Sequence, residues 1–207
     1  LLTELATLQA RVAQFEAREQ ALGASEPYRQ IRLDGAVEHV RAEATAMRDS
    51  SDIGKVMAAL YDGWRDSGLV FEAGCINIVD AEQRRYHTYA LLPAAIMAAP
   101  VEGRILVEQD VTPGLNLYRS LDIDLDFARE RGWAQPDLAA SVWEAPATFP
   151  DDLAALWGHR VPDAERFIGC AGINVPFAYG GVFAQAPAGH QYSDDDVVIV
   201  ERFADAV

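Results

Sequence analysis

Asn174-Val-Pro-Phe-Ala-Tyr-Gly-Gly-Val-Phe-Ala184, with the Tyr192-Ser-Asp-Asp-Asp196 and Glu201-Arg-Phe-Ala-Asp205 that follow it, decides how the chain folds. Two runs suited to strands, Gly172 to Phe177 and Gly181 to Ala186, flank Tyr179-Gly180-Gly181, which permits a tight turn. The spacing predicts a hairpin. Pro176 has no backbone donor, so it fits a strand only at an edge or end. Ser193 to Asp196 has the spacing of a capping box and places acids at the positive end of a helix dipole. Val200, Phe203, Ala204 and Val207 then share one face of that helix.

Working back along the chain, Cys75-Ile-Asn-Ile-Val79 and Tyr86-His-Thr-Tyr-Ala-Leu-Leu92 predict an earlier hairpin, turning at Asp80 to Arg85. Before it, Ser50-Ser51-Asp52 opens a helix whose Ile53, Val56, Met57, Leu60, Tyr61 and Trp64 form a wide stripe suited to covering a sheet, and Gly68 ends it. Gly103 to Gln109 and Ser141 to Glu144 are candidate strands. Leu115 to Arg131 is expected to hold one or two helix turns stopped by Gly132, and Pro150 to Trp157 a helix. Residues 110–165 carry the weakest pattern. Strands joined by short turns give an antiparallel sheet, so the class is α+β. One sheet face should carry the 51–67 and terminal helices, and the other the irregular middle of the chain, with any ligand between sheet and middle segment.

The first 49 residues read as a helical stalk, residues 50–207 as the domain proper. Leu1, Leu5, Leu8, Val12 and Phe15 are spaced 4, 3, 4, 3, the heptad pattern of a coiled-coil seam. Gly23 to Pro27 interrupts it. Leu33, Val37, Val40, Ala44 and Met47 repeat the spacing in a second helix running to about Asp49. The expectation is a parallel homodimer with Leu5, Leu8, Val12, Phe15, Leu33, Val40, Met47 and Phe203 at the interface, against the plainer alternative of helices lying on their own domain.

The ending quoted above resembles the C-terminal half of a GAF domain. There, a strand ending in Val-Pro-Leu-like residues turns at a glycine, a Gly-Val-Leu-Gly type strand follows, and a Phe-Ser-x-x-Asp cap opens a helix carrying Leu-x-x-Phe-Ala. The Ile53 to Trp64 helix and Cys75 to Leu92 hairpin fit the N-terminal half, so the resemblance spans residues 50–207, weakly in the middle. It implies a GAF-like antiparallel sheet flanked by helices. It also implies a regulatory sensor module of a larger signalling protein, such as a two-component system. Such a module binds a small molecule and relays the signal through dimeric helices to a covalently linked output domain, such as a histidine kinase, cyclase or phosphatase. The chain begins at Leu1, not Met, and reads as part of a longer protein. Its last helix, with no closing glycine or basic residue, is expected to continue into that output domain.

Composition sets the outer limits. The 207 residues carry 17 Lys+Arg against 32 Asp+Glu, a net charge of −15. That field repels phosphate backbones and anionic lipid, so neither nucleic acid nor a polybasic membrane anchor is expected. No run approaches the roughly 18 apolar residues of a spanning helix. Two cysteines exclude a disulfide framework and a multi-cysteine zinc site, and suit a reducing cytoplasm.

No enzymatic motif stands out, and no catalytic residue is assigned. Histidines 39, 87, 159 and 190 lack ligand spacing, so no metal is expected. Asp122, Asp124 and Asp126 alternate but lack the glycine and terminal acid of a calcium loop. Cyclic-nucleotide-binding members of the resembled family carry an Asn-Lys-x-Phe-Asp-Glu motif, which is missing here: Lys55 is the only lysine. Cys75 and Cys170 lack the following histidine typical of pigment attachment in that family. A thiol enzyme like the GAF-fold reductases of free methionine sulfoxide remains an alternative. It needs a lowered thiol pKa, and neither cysteine has a basic neighbour in sequence. A dimerisation module without a ligand is the other alternative. If a ligand binds, the layout points to Tyr89 and Asn174 from the sheet floor and to Tyr118, Trp143, Trp157 and His159 from the segment above it. No cofactor is indicated.

Overall fold

A computed structural model describes residues 26–93, 105–112, 115–120, 123–131, 133–134, 139–157 and 164–207. The fold is α+β, an antiparallel sheet with five helices. The strands are β1 (Ala73–Asp80), β2 (Arg85–Pro93), β3 (Ile105–Thr112), β4 (Leu115–Ser120), β5 (Ile123–Asp124), β6 (Ser141–Glu144), β7 (Ala171–Phe177) and β8 (Gly180–Gln185). The helices are α1 (Glu26–Ala46), α2 (Ile53–Ser67), α3 (Leu125–Glu130), α4 (Phe149–Trp157) and α5 (Asp194–Ala204). Seven strands run in the order β3-β4-β2-β1-β8-β7-β6, and short β5 pairs with the start of β2. The first and last strands therefore meet at the centre, and each expected hairpin becomes one half of the sheet.

The hairpin β7–β8 forms as its residues predict, with Phe177 opposite Gly180. The glycine has a different reason from the one expected. The turn itself uses Ala178 and Tyr179, and Gly180 lies against β1, where a Cβ would stand 1.8 Å from the Asn77 carbonyl oxygen. Close approach of two backbones at the sheet centre demands glycine here. Pro176 falls beyond the end of β6, whose pairing stops at Ser141 opposite Asn174, so its missing donor costs nothing on that side.

One sheet face carries α1, α2 and α5 over a continuous apolar core. Trp64, Leu60, Met57 and Val56 of α2 meet Ile76, Leu91, Leu117, Ile173, Val182 and Ala184 of the sheet, as the stripe on residues 53–64 predicts. The buried Tyr61 hydroxyl lies between the carbonyl oxygens of Gly74, at 3.0 Å, and Leu91, tying α2 to β1 and β2. Helix α5 opens with the expected capping box at Ser193 and Asp196, and buries Val200, Phe203 and Ala204.

The helix expected over the second part of the stalk exists as α1, but its stripe lies on its own domain. Val37 and Val40 are buried in the core of α2 and the sheet, and Leu33, Ala44 and Met47 pack against it. Phe203 is fully buried against Gly63, where a Cβ would meet its ring at 2.6 Å. Val40 and Phe203 are thus buried within the chain itself, and Leu33 and Met47 are partly covered by the same core. The reason is physical: α1 folds back along α2 after the short turn at Asp49–Asp52, and an apolar stripe buries itself in the nearest available partner. Arg32 pairs with Asp66 at 3.2 Å across that helix pair, and Arg202 pairs with Asp34 to join α5 to α1. Helix α1 packs along α2 and touches α5. Leu5, Leu8, Val12 and Phe15 lie outside the described residues.

The other sheet face carries the described parts of the middle segment, as expected. Phe149 of α4 and Phe167 of the 3-10 turn Ala164–Phe167 cover Tyr118. Leu125 and Ala128 of α3 cover Tyr86. Arg131 links the two patches, its guanidinium 3.5 Å from the Phe127 ring centroid and 3.2 Å from an Asp152 oxygen. The one or two helix turns expected within Leu115 to Arg131 are α3, and Leu115–Ser120 before it is strand β4: Leu117 and Tyr118 alternate between the two buried faces, and pairing with β2 and β3 fixes the extended form.

Candidate functional site

On this second face, strand alternation puts Cys75, Asn77 and Val79 of β1 beside Gly181 and Phe183 of β8 and Asn174 and Pro176 of β7. Asn77 pairs with Gly181. Gly181 has no side chain, so the floor between β1 and β7 is open. The Asn174 Oδ1 oxygen lies 3.3 Å from where a Gly181 Cβ would be. A cleft follows, lined by Asn77, Val79, Tyr86, Trp133, Ala134, Asn174, Pro176, Gly180 and Gly181. It measures about 230 Å³ counted out to the surrounding solvent. Its enclosed part has room for about one water.

The polar groups of the cleft are unequal. The Tyr86 hydroxyl donates to the Trp133 carbonyl at 3.1 Å, which fixes the wall, and burial raises its pKa well above the ordinary value. Asn77 is only 7 % exposed, and its Oδ1 accepts a thiol contact from Cys75 at 3.5 Å. Its amide nitrogen, and the whole carboxamide of half-buried Asn174, have no hydrogen-bond partner among the described residues. Neither amide is among the buried polar atoms left without a partner, so both reach solvent at the cleft, where water or a ligand can pair with them.

The expected ligand residues separate. Asn174 lines the cleft. Tyr118 and Trp143 lie on the same face but in the neighbouring aromatic patch, where Trp143 stacks on Phe183 at 5.4 Å. Tyr89 is a correction: it pairs with Ile76 and belongs to the core under the helices, with Arg119 over its ring at 5.1 Å. Its strand parity, not its residue type, decides this, since Thr88 and Ala90 are the ones that face the cleft side. His159 and the Trp157 side chain lie outside the described residues. Sequence reasoning missed Asn77, Tyr86 and Trp133. Asn77, the lone amide between Ile76 and Ile78, carried a signal, because a polar residue alternating with β-branched ones marks the opposite face.

Burial pushes the Cys75 thiol up to about 12. Cys170 is buried, with its Sγ 3.4 Å from the Arg166 carbonyl oxygen. Asp124 caps α3 by accepting from the Asp126 and Phe127 backbone N–H groups at 2.9 and 3.1 Å, and Asp126 pairs with Arg84. Among the described residues no group of three or more His, Cys, Asp or Glu is placed to hold a metal ion, and no helix is long and apolar enough to cross a membrane. No protein-family model matches the chain, and no curated protein matches it.

Proposed function

We propose that the chain is a GAF-like sensor module, without catalysis of its own, that seats a small ligand in the Asn77–Asn174 cleft. The observation that carries this is the opening that Gly181 leaves between β1 and β7 on the face away from the helices, with the Asn77 amide nitrogen and the Asn174 carboxamide at it and without a partner among the described residues. The GAF resemblance of residues 174–205 supports the sensor role, and the two hairpins meeting at the sheet centre are compatible with it. Helices α1 and α5, bridged by Asp34 and Arg202, offer a route by which occupancy of the cleft reaches the two ends of the chain. An output domain and a dimer seam through Leu5, Leu8, Val12 and Phe15 belong to the same proposal, as does action in the cytoplasm.

A thermal-shift screen of small metabolites tests it. Binding to the native state alone stabilises by RT ln(1+[L]/Kd), about 2.7 kcal/mol at one hundred times Kd. Compounds should stabilise the wild-type protein and lose most of that effect on Asn174→Leu. The dimerisation module without a ligand draws support from the small enclosed volume of the cleft. A complete absence of stabilising compounds, with a dimer that dissociates on removal of residues 1–22, would favour it instead.

A further inference from the structure

Helix α1 carries apolar or small residues on two opposite sides. Leu33, Val37, Val40 and Ala44 form one row, and that row is turned to the core of the chain. Tyr28, Ile31, Gly35 and Ala42 form a second, and at roughly 100° per residue it lies about half a turn round from the first. All four are exposed, Ile31 at 67 % and Tyr28 at 45 %. Among the described residues no large aliphatic side chain is more exposed than Ile31. One such side chain alone is ordinary, whereas a row at helical spacing is a face. Gly35 adds an independent observation. It stands in mid-helix, where glycine is less favourable than alanine. Its φ is not positive, and a Cβ there would find nothing within 4 Å, unlike Gly63, whose Cβ would meet the Phe203 ring. The chain's own packing therefore gives no reason for this glycine, while the close approach of a second backbone does. Charged side chains beside the row are taken up within the chain: Arg32 by Asp66, Asp34 by Arg202 and Glu38 by Arg41.

We infer that this outer face of α1 is covered by α1 of a second copy, the two helices running parallel about a twofold axis and meeting at Tyr28, Ile31 and Gly35. The inference rests on the dimer seam in the proposal above and adds the face of the domain that joins it. The occupant follows from where the heptad sequence enters. Leu1, Leu5, Leu8, Val12 and Phe15 belong to the 25 residues ahead of Glu26, and Tyr28 and Ile31 fall in the first two turns of α1 after that point. A parallel pair through the heptad brings two copies of the α1 start side by side. Val40 is buried in the chain's own core, with Leu33 and Met47 packed against it, so the reverse side of the helix is the one left for a partner. A twofold contact sets one patch against itself, and a large Ile31 one turn from a bare Gly35 is self-complementary, the side chain of each copy entering the gap of the other. Four residues fall short of the roughly 20–30 a side of a standard interface, so the face acts together with the heptad.

Sedimentation equilibrium of the full chain tests this, with Ile31→Glu, Gly35→Leu and Leu8→Glu as variants and Ile31→Cys for cross-linking. Ile31→Glu and Gly35→Leu should each weaken the wild-type dimer at least tenfold while keeping the native far-UV spectrum. Gly35→Leu is the sharper of the two, because on a free helix face it would only favour the helix. Oxidised Ile31→Cys should run as a covalent dimer on a non-reducing gel where oxidised wild type does not. A dimer that survives both Ile31→Glu and Gly35→Leu unchanged, and dissociates with Leu8→Glu, overturns the inference and leaves the heptad seam standing. A wild-type chain that sediments as a monomer at high micromolar concentration overturns both.

Discussion

The two faces of the sheet solve opposite problems. The helix face buries Trp64, Leu60, Ile76, Leu91 and Phe203 in one core, with the Tyr61 hydroxyl supplied with acceptors and the Trp64 indole nitrogen buried without one. The other face is divided between two smaller aromatic patches, and between its central strands Gly181 opens a floor at which the Asn77 and Asn174 side-chain amides reach solvent. The first face is closed by apolar atoms, and the second keeps a polar opening, which is where the proposed function is placed.

The largest expected effect is on the helix face. Phe203→Ala should destabilise by about 3–5 kcal/mol, as for other fully buried phenylalanines. Denaturant unfolding checks this, and a loss under about 1 kcal/mol would mean that the three helices do not share a core. Gly63→Ala drives a methyl into the Phe203 ring and should cost roughly 1–3 kcal/mol, much of it recovered in the Gly63→Ala, Phe203→Leu double variant. Ser193→Ala removes the α5 cap and should cost about 1 kcal/mol.

On the cleft face the sign should reverse. Asn174→Leu removes a carboxamide without a partner among the described residues, and Asn77→Leu one whose only such contact is the weak Cys75 thiol, so unfolding midpoints should stay nearly level or rise while ligand stabilisation is lost. A drop of several degrees in both would show that the amides are structural. The half-buried Cys75 should also resist alkylation: iodoacetamide at pH 8 should modify it in the folded protein far more slowly than after unfolding, because desolvation pushes its thiol up to about 12. Rapid selective modification would revive the thiol-enzyme alternative.

The smallest effect concerns the clamp between α1 and α5. The Arg202 hydrogen bond holds the exposed Asp34 carboxyl below its usual range. A lowered folded-state pKa gives stability that is present above the unfolded value near 3.9 and lost as pH falls through the folded one. Wild type should therefore lose slightly more stability than Asp34→Asn as pH is lowered below about 4, and the difference should shrink in high salt. Equal acid profiles would show that the pair contributes nothing.

Much of the fold was legible because local chemistry agreed with tertiary demand. The capping box at Ser193, the stripe on residues 53–64 and both hairpins fall where their residues place them. The partner of the α1 stripe was not legible: Leu33, Val40 and Met47 have the same spacing whether they face a second copy or their own α2, and only the turn at Asp49 sets which. The helix turns expected within Leu115 to Arg131 fall at α3, while the strand Leu115–Ser120 needs β2 and β3 beside it to be read. Asn174 was found in advance, but Tyr89 was placed on the wrong face by one residue of parity, and Asn77 needs the β1–β8 register before it meets Gly181.

The side-chain NH2 signals of Asn77 and Asn174, followed while stabilising compounds are added, test the central claim most directly. The account predicts that each compound raising the melting temperature of the full chain also shifts at least one of these two signals, with little change at Ile76, Leu60 or Phe203 under the helices. Stabilising compounds that leave both amides unmoved and perturb the helix face instead would contradict it.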